Sequence, residues 1–187
     1  MTLSSDGFVK LWDTNTLDVI NTLPLIHTQE TVCLGVDLDH HLYAVGSQSH
    51  VSILDPRCSS IVHSFTSCDD SWGVRSMSVD GGILTVGGGL GRISFYDLIA
   101  QKYLDWNPKL ASPHSTNSTF VKSESEVKYL QSGTGWLCRD EMYINHFQGA
   151  RIHNAIYTMS YDQSGSRLFT AGGPLQLALQ GSYAALW

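Results

Sequence analysis

An aspartate recurs every 42 residues along this 187-residue sequence, at Asp13, Asp55 and Asp97, and this period limits the folds that the chain can adopt. Each aspartate ends a similar segment, in which apolar residues alternate with small or polar ones after a glycine or serine. A fourth copy, without the aspartate, ends the chain. The four copies are Gly7–Asp13, Ser49–Asp55, Gly91–Asp97 and Ser182–Trp187. Alternation with a period of two predicts a β-strand in every copy.

Further strands are predicted around these copies. Two strands precede each of the last three copies, and the nearer one ends in small residues. Before the third copy, for example, the strands Val74–Val79 and Ile83–Gly88 are separated by the turn-forming sequence Asp80-Gly81-Gly82. Another short strand follows the aspartate. Four short antiparallel strands in every repeat of about 40–45 residues are typical of a β-propeller blade.

The repeats resemble the WD-repeat family. Leu11-Trp12-Asp13 has the tryptophan–aspartate pair of that family, and Ser5-Asp6-Gly7 has its turn. We therefore expect an all-β, partial WD-repeat β-propeller. The length allows about four of the roughly seven blades that such propellers usually have, so we expect the C-terminal portion of a larger propeller. The expected units are the end of a blade at 1–13 and blades at 14–55, 56–97 and 98–187.

The segment from about residue 105 to 150 does not match the period. The stretch from Tyr96 to Trp187 spans about two periods, so it could hold a degenerate blade. We favour one blade with a long insertion at about 105–150, because the segment has no further copy of the repeat. Such an insertion is either an ordered functional element or a disordered loop, and the sequence leaves both open.

Composition and charge exclude several classes of protein. Charged residues are 15% of the chain and no apolar run is long enough to cross a bilayer, so we expect no membrane association. A net charge of −6 argues against a general nucleic-acid binder. No secretory signal is visible, which favours a cytoplasmic and nuclear location with the four cysteines reduced. No nucleophile, phosphate-loop or metal motif is present, so we expect no catalysis, cofactor or metal.

Several of the few basic groups are expected at one end of the propeller. In the WD-repeat family the innermost strand of each blade begins at the narrow end of the central channel, and Arg75 follows such a start. The other candidates are on loops expected at the same end: Lys10, His50, Arg92, Arg151 and His153. In a partly desolvated channel, each can make a charge-assisted hydrogen bond to a carboxylate. The alternative for each is a solvated surface charge.

A closer resemblance is to the DDB- and cullin-four-associated factors, which are substrate receptors of cullin-RING ubiquitin ligases. It rests on irregular stretches as well as strands, namely Gly46–Arg57, Tyr161–Gly165, Leu168–Leu175 and Gly181–Trp187. The resemblance implies a substrate-recognition subunit of a cullin-four-RING E3 ligase, which captures acidic C-terminal degrons for ubiquitination and proteasomal degradation. The implied partners are the ligase adaptor protein, the cullin-four-RING complex and substrates with acidic C-termini.

The same resemblance implies Trp-Asp-x-Arg boxes that dock the adaptor protein. Leu54-Asp55-Pro56-Arg57 retains the aspartate and the arginine, so Asp55 and Arg57 are the expected docking residues. Two alternatives remain open. In a WD-repeat scaffold for another multiprotein complex, Arg57 would be an ordinary surface residue, and a propeller hydrolase would require a metal in the channel.

Overall fold

The computed structural model describes residues 1–37, 40–58, 60–69, 72–104 and 127–187. Their one helix is α1 (Glu141–His146), which Asp140 caps by accepting a hydrogen bond from the backbone N–H of Tyr143. Among these residues, no helix has the length and apolar character needed to cross a membrane. The strands are β1 (Thr2–Leu3), β2 (Phe8–Trp12), β3 (Val19–Pro24), β4 (Cys33–Asp37), β5 (Leu42–Gly46), β6 (His50–Asp55), β7 (Ser60–Thr66), β8 (Val74–Asp80), β9 (Ile83–Gly88), β10 (Arg92–Asp97), β11 (Lys102–Tyr103), β12 (Tyr129–Gln131), β13 (Trp136–Leu137), β14 (Asn154–Tyr161), β15 (Leu168–Pro174) and β16 (Gly181–Leu186).

The strands form four antiparallel sheets. The first is β1–β2–β3, the second β4–β5–β6–β7 and the third β8–β9–β10–β11, with β12 also paired to β10. The fourth is β14–β15–β16, and β13 covers the outer edge of β16. Within each sheet, strands that follow one another in the chain are mostly neighbours, as in propeller blades. The structure confirms the predicted all-β, partial propeller of about four blades.

The sheets are offset from the expected units at 1–13, 14–55, 56–97 and 98–187. Each repeated aspartate lies at or just after the end of a third strand, so a 42-residue unit contains the outer strand of one sheet and the three inner strands of the next. The first sheet also includes β1, which pairs with β2 through Thr2 and Leu3. The expected units therefore follow the 42-residue repeat, whereas each of the first three sheets is built from parts of two successive units.

The outer strand of the third sheet is divided into two parts. β11 pairs with the end of β10, at Tyr96 and Asp97, whereas β12 pairs with its beginning, at Arg92–Ser94. Residues 105–126, in the first half of the expected insertion, lie outside the described residues. The described part of that expected insertion supplies β12 to the third sheet and β13 to the fourth. Both cover backbone groups of a third strand that would otherwise lack partners.

Apolar side chains fill the spaces between neighbouring sheets. Val9 and Leu54 belong to one buried apolar cluster between the first two sheets, Val51 and Leu84 to one between the next two, and Ile93 and Ile156 to one between the last two. The innermost strands β4, β8 and β14 stand side by side. The sheets are therefore arranged around one axis, and loops of different sheets come together at each end.

Gly46 and Gly87 occupy matching positions near the end of a second strand and allow this close approach. A Cβ atom at Gly46 would lie 2.6 Å from Val74 Cγ1 of the next sheet, and one at Gly87 would lie 2.9 Å from Ile156 Cβ. Both distances are well below the 3.5–4.0 Å at which carbon atoms pack. The small residues that end the predicted second strands are thus required by the packing of adjacent sheets.

Candidate functional site

Loops of adjacent sheets meet on one side of the molecule, which we call the upper face. The innermost strands begin on this side, and the turns between second and third strands, at residues 47–49 and 89–91, lie there too. Backbone hydrogen bonds connect these loops: Val74 N donates to Ser47 O at 3.0 Å, and Gly89 N to Gly73 O at 3.0 Å. Arg75, His50 and Arg92 all lie on this face, as the sequence predicts.

Asp69 fixes the segment that leads into β8. Its side chain is only 1% exposed, and its Oδ2 accepts a hydrogen bond from the backbone N–H of Leu90 at 3.0 Å. Its carbonyl oxygen accepts hydrogen bonds from the backbone N–H groups of Trp72 and Gly73. Through its backbone carbonyl and its buried carboxylate, Asp69 therefore joins the start of β8 to the turn between β9 and β10.

Arg75 is held in a defined position at the start of β8. The pairing of β8 with β9 shifts between Val74 and Ser76, so Arg75 lies in a β-bulge, which redirects a side chain. Its Nε donates to the carbonyl oxygen of Trp72 at 3.2 Å, and its Nη2 donates to Glu30 Oε2 at 2.6 Å. The side chain of Arg75 is 17% exposed and that of Glu30 is 48% exposed. The guanidinium is thus largely desolvated, whereas its carboxylate partner reaches water.

Arg92 is also paired, but with a buried acid. Its Nε lies 3.6 Å from Asp69 Oδ1, and its Nη1 donates to the carbonyl oxygen of Cys68 at 3.3 Å. The guanidinium also lies over the ring of Tyr129, 5.0 Å from its centroid, in a cation–π contact. Through these contacts, Arg92 holds the loop before β8 against the third sheet.

His50 stacks on a second histidine of the upper face. The rings of His50 and His27 are parallel, with centroids 3.6 Å apart, and Ser49 Oγ lies 2.7 Å from His50 Nδ1. Desolvation and, to a lesser degree, His27 lower the pKa of His50, so its imidazole is uncharged near neutral pH. A cavity of about 200 Å³ beside the stack is lined by His27 and Ser49 among others. His50 does not line this cavity, and near neutral pH it contributes no positive charge to the upper face.

The remaining predicted cations are placed differently. Lys10 is the third residue of β2, two residues beyond the position that matches His50 and Arg92, so it lies on a strand and not on the expected loop. Arg151 and His153 precede β14 beside a cavity of about 250 Å³. Residues 150, 152 and 154 line that cavity and the two predicted residues do not, as expected if alternate side chains point to opposite sides. Binding roles for Lys10, Arg151 and His153 stay predictions.

Asp55 and Arg57 lie on the opposite side, the lower face, where third strands end. Arg57 Nε donates to Asp55 Oδ1 at 2.9 Å and Nη2 donates to Oδ2 at 2.7 Å, so the ion pair is bidentate. Hydrogen bonds from Arg57 hold the pKa of Asp55 at about 2. The side chain of Arg57 is 68% exposed. The pair therefore presents a fixed guanidinium to solvent.

Glu30 and Asp69 are functional candidates that the sequence did not reveal. Both are in segments between strands, where no hydrophobic period marks a residue, and Glu30 is 45 positions from its partner Arg75. What marks Glu30 and Asp69 is that each pairs with a predicted binding arginine. These pairings are visible only in the folded structure.

The chemistry available on the upper face is recognition of anions. Arg75 combines low exposure with a carboxylate partner that is open to water, so another carboxylate can approach its position. In the described ranges, no group of three or more His, Cys, Asp or Glu side chains could hold a metal ion. Burial raises the pKa of the Cys33 thiol to about 12, which keeps it protonated.

Comparisons with solved structures and with family models both bear on this chain. The crystal structure of the RRP9 WD40 repeats shares this fold, with a TM-score of 0.50 at 14% sequence identity; the match covers 55% of this chain and 33% of that one. This chain therefore spans about a third of that protein's length. The family model described as the DDB1- and CUL4-associated factor 12 beta propeller matches residues 1–187. The chain belongs to the DDB1- and CUL4-associated factor 12 beta-propeller family.

Proposed function

We propose that this chain belongs to a substrate receptor of a cullin-4 RING ubiquitin ligase and that its upper face captures acidic C-terminal tails. The observation that carries the proposal is the position of Arg75, a guanidinium that is 17% exposed, oriented by Trp72 O and already bound to a carboxylate. A terminal carboxylate or an acidic side chain offers the same oxygen pair as Glu30. The family, whose name refers to DDB1 and CUL4, supports the ligase part of the proposal.

The lower face provides the second part of the proposal, docking of the adaptor. Asp55 orients Arg57 through two parallel hydrogen bonds, and the exposed guanidinium can then be read by a partner at little further entropic cost. The receptor would bind its substrate at one end of the sheets and DDB1 at the other. A location in the cytoplasm and nucleus, where these ligases would meet their substrates, is part of the same proposal.

A peptide-binding experiment tests the role of Arg75. The probe is a fluorescein-labelled peptide that ends in two glutamates with a free carboxyl terminus, and its affinity for the full chain is measured by fluorescence anisotropy. We expect Arg75→Glu to weaken binding at least about thirtyfold, because losing one partner of a desolvated charge pair costs about 2 kcal/mol or more. Arg75→Glu also places its new carboxylate beside that of Glu30, so Arg75→Gln, which adds no such repulsion, is the milder variant.

The controls separate recognition of the tail from general charge. Arg167→Glu makes the same charge change at an exposed position between β14 and β15 and should leave the affinity unchanged. An amidated peptide that ends in two glutamines should not bind the wild-type chain. Equal affinity of wild type and Arg75→Glu would remove Arg75 from the site. Co-purification of a different stable complex, without DDB1 and the cullin, would favour the scaffold alternative.

A further inference from the structure

Two arginines on the upper face each contact an internal carboxylate, but the two carboxylates differ in exposure. Asp69, the partner of Arg92, is 1% exposed and also binds the backbone of Leu90, so it cannot leave without breaking the loop. Glu30, the partner of Arg75, is 48% exposed. Released from Arg75, Glu30 would return to water, where a carboxylate is well solvated. Of these two ion pairs, the Arg75–Glu30 pair can exchange partners at low cost.

The backbone around Glu30 holds its carboxylate in place. Glu30 has a φ of +49°, a left-handed conformation that non-glycine residues rarely adopt. Its two neighbours are anchored: Gln29 O accepts a hydrogen bond from Gln48 N at 2.8 Å, and Thr31 Oγ1 donates to Ser4 O at 3.4 Å. Contacts to two sheets thus impose the conformation of the segment before β4, and this conformation directs Glu30 toward Arg75.

We infer that Glu30 is an intramolecular competitor for the carboxylate site of Arg75. This inference rests on the proposed function, because it concerns the same site. An incoming acidic tail must displace Glu30 from Nη2 of Arg75. The ion pair of Arg75 with Glu30 is then replaced by an ion pair of Arg75 with the tail. A ligand with a single carboxylate gains little from that exchange, so Glu30 makes stable binding depend on additional contacts. Glu30 thereby determines how acidic a tail must be to bind.

Removing the charge of Glu30 tests the inference. Glu30→Gln keeps the size of the side chain but weakens its hold on Arg75. We expect the peptide that ends in two glutamates to bind this variant of the full chain about fivefold more tightly than wild type. The control is Glu141→Gln, which makes the same charge change at an exposed position of α1 and should leave the affinity unchanged.

A double variant shows whether Glu30 acts through Arg75. In the Arg75→Gln background, Glu30→Gln should no longer increase affinity, because the contact that it releases is absent. A gain that persists there reflects general charge and overturns the inference. Equal affinity of wild type and Glu30→Gln for the peptide also overturns the inference. If that binding still depends on Arg75, the proposed function stands. If neither wild type nor Glu30→Gln binds the peptide, both the inference and the proposed function are wrong.

Discussion

The repeated aspartates have a local role that explains their period. Asp13 Oδ1 accepts a hydrogen bond from the backbone N–H of Asn15 at 2.8 Å, Asp55 Oδ1 from that of Arg57 at 2.9 Å, and Asp97 Oδ1 from that of Ile99 at 2.9 Å. Each aspartate thus stabilises the turn that follows a third strand. Of these three turns, the one after Asp55 also contains an arginine two residues on, which turns a structural position into a candidate docking site.

The ion pair on this turn predicts a pH effect at a single residue. Arg57 holds the pKa of Asp55 at about 2, below the value of about 3.9 in an unfolded chain. The pair therefore stabilises the fold fully above about pH 4, and this contribution is lost as the pH falls toward 2. We expect Asp55→Asn, which retains an oxygen for the turn, to lower the unfolding temperature at pH 7. The difference from wild type should disappear near pH 2 in a circular-dichroism melting series.

Asp97→Asn is the matched control for this series, since its turn has Ile99 in place of the arginine. It should change the unfolding temperature at pH 7 less than Asp55→Asn does. Equal changes in the two variants would mean that the turn, and not the arginine, accounts for the effect at Asp55.

At the scale of the strand, the close approach of the sheets predicts that any side chain at Gly46 destabilises the fold. In Gly46→Ala, the new methyl group would lie 2.5 Å from Cys33 Sγ and 2.6 Å from Val74 Cγ1, in its own sheet and the next one. We expect a loss of about 1–3 kcal/mol in the free energy of unfolding, as for other overpacked cores. Gly133→Ala has no atom within 4 Å of the new methyl group and should change stability by less than about 0.5 kcal/mol. Urea denaturation that gives the same midpoint for both variants would contradict this account.

The strands could be predicted from the sequence because their period is local. Alternation predicted β8 and β9 closely. The repeat placed Arg75 at a strand start and His50 and Arg92 on loops of the same face, and the structure has these two as the first residues of β6 and β10. Loop contacts have no such period, so the ion pair of Arg75 with Glu30 and the buried Asp69 could not be predicted. Lys10 was wrongly predicted on a loop, because the 42-residue period aligns Phe8, and not Lys10, with His50 and Arg92, and β2 begins at Phe8. The lowered pKa of His50 comes mainly from desolvation and to a lesser degree from His27, and the sequence shows neither the burial nor the stacking.

At the scale of the whole molecule, the two candidate sites lie at opposite ends of the same strands. His50 and Asp55 begin and end β6, so the faces are separated by roughly 17 Å at about 3.3 Å per residue. Sites farther apart than about 10 Å, with no shared partners, usually respond independently to mutation. If the upper face binds acidic tails and the lower face binds DDB1, each function can be removed without the other.

Paired variants of the full chain test this separation. Arg57→Ala should reduce the DDB1 recovered in a pull-down severalfold and leave the affinity for the acidic peptide within about twofold of wild type. Arg75→Gln should do the reverse, and the double variant should show both losses at the size seen in the single variants. Arg167→Ala removes another exposed arginine of the lower face and should affect neither assay. If Arg57→Ala weakened peptide binding as much as Arg75→Gln does, the two faces would be coupled through the sheets, and binding of the adaptor would then control capture of the substrate.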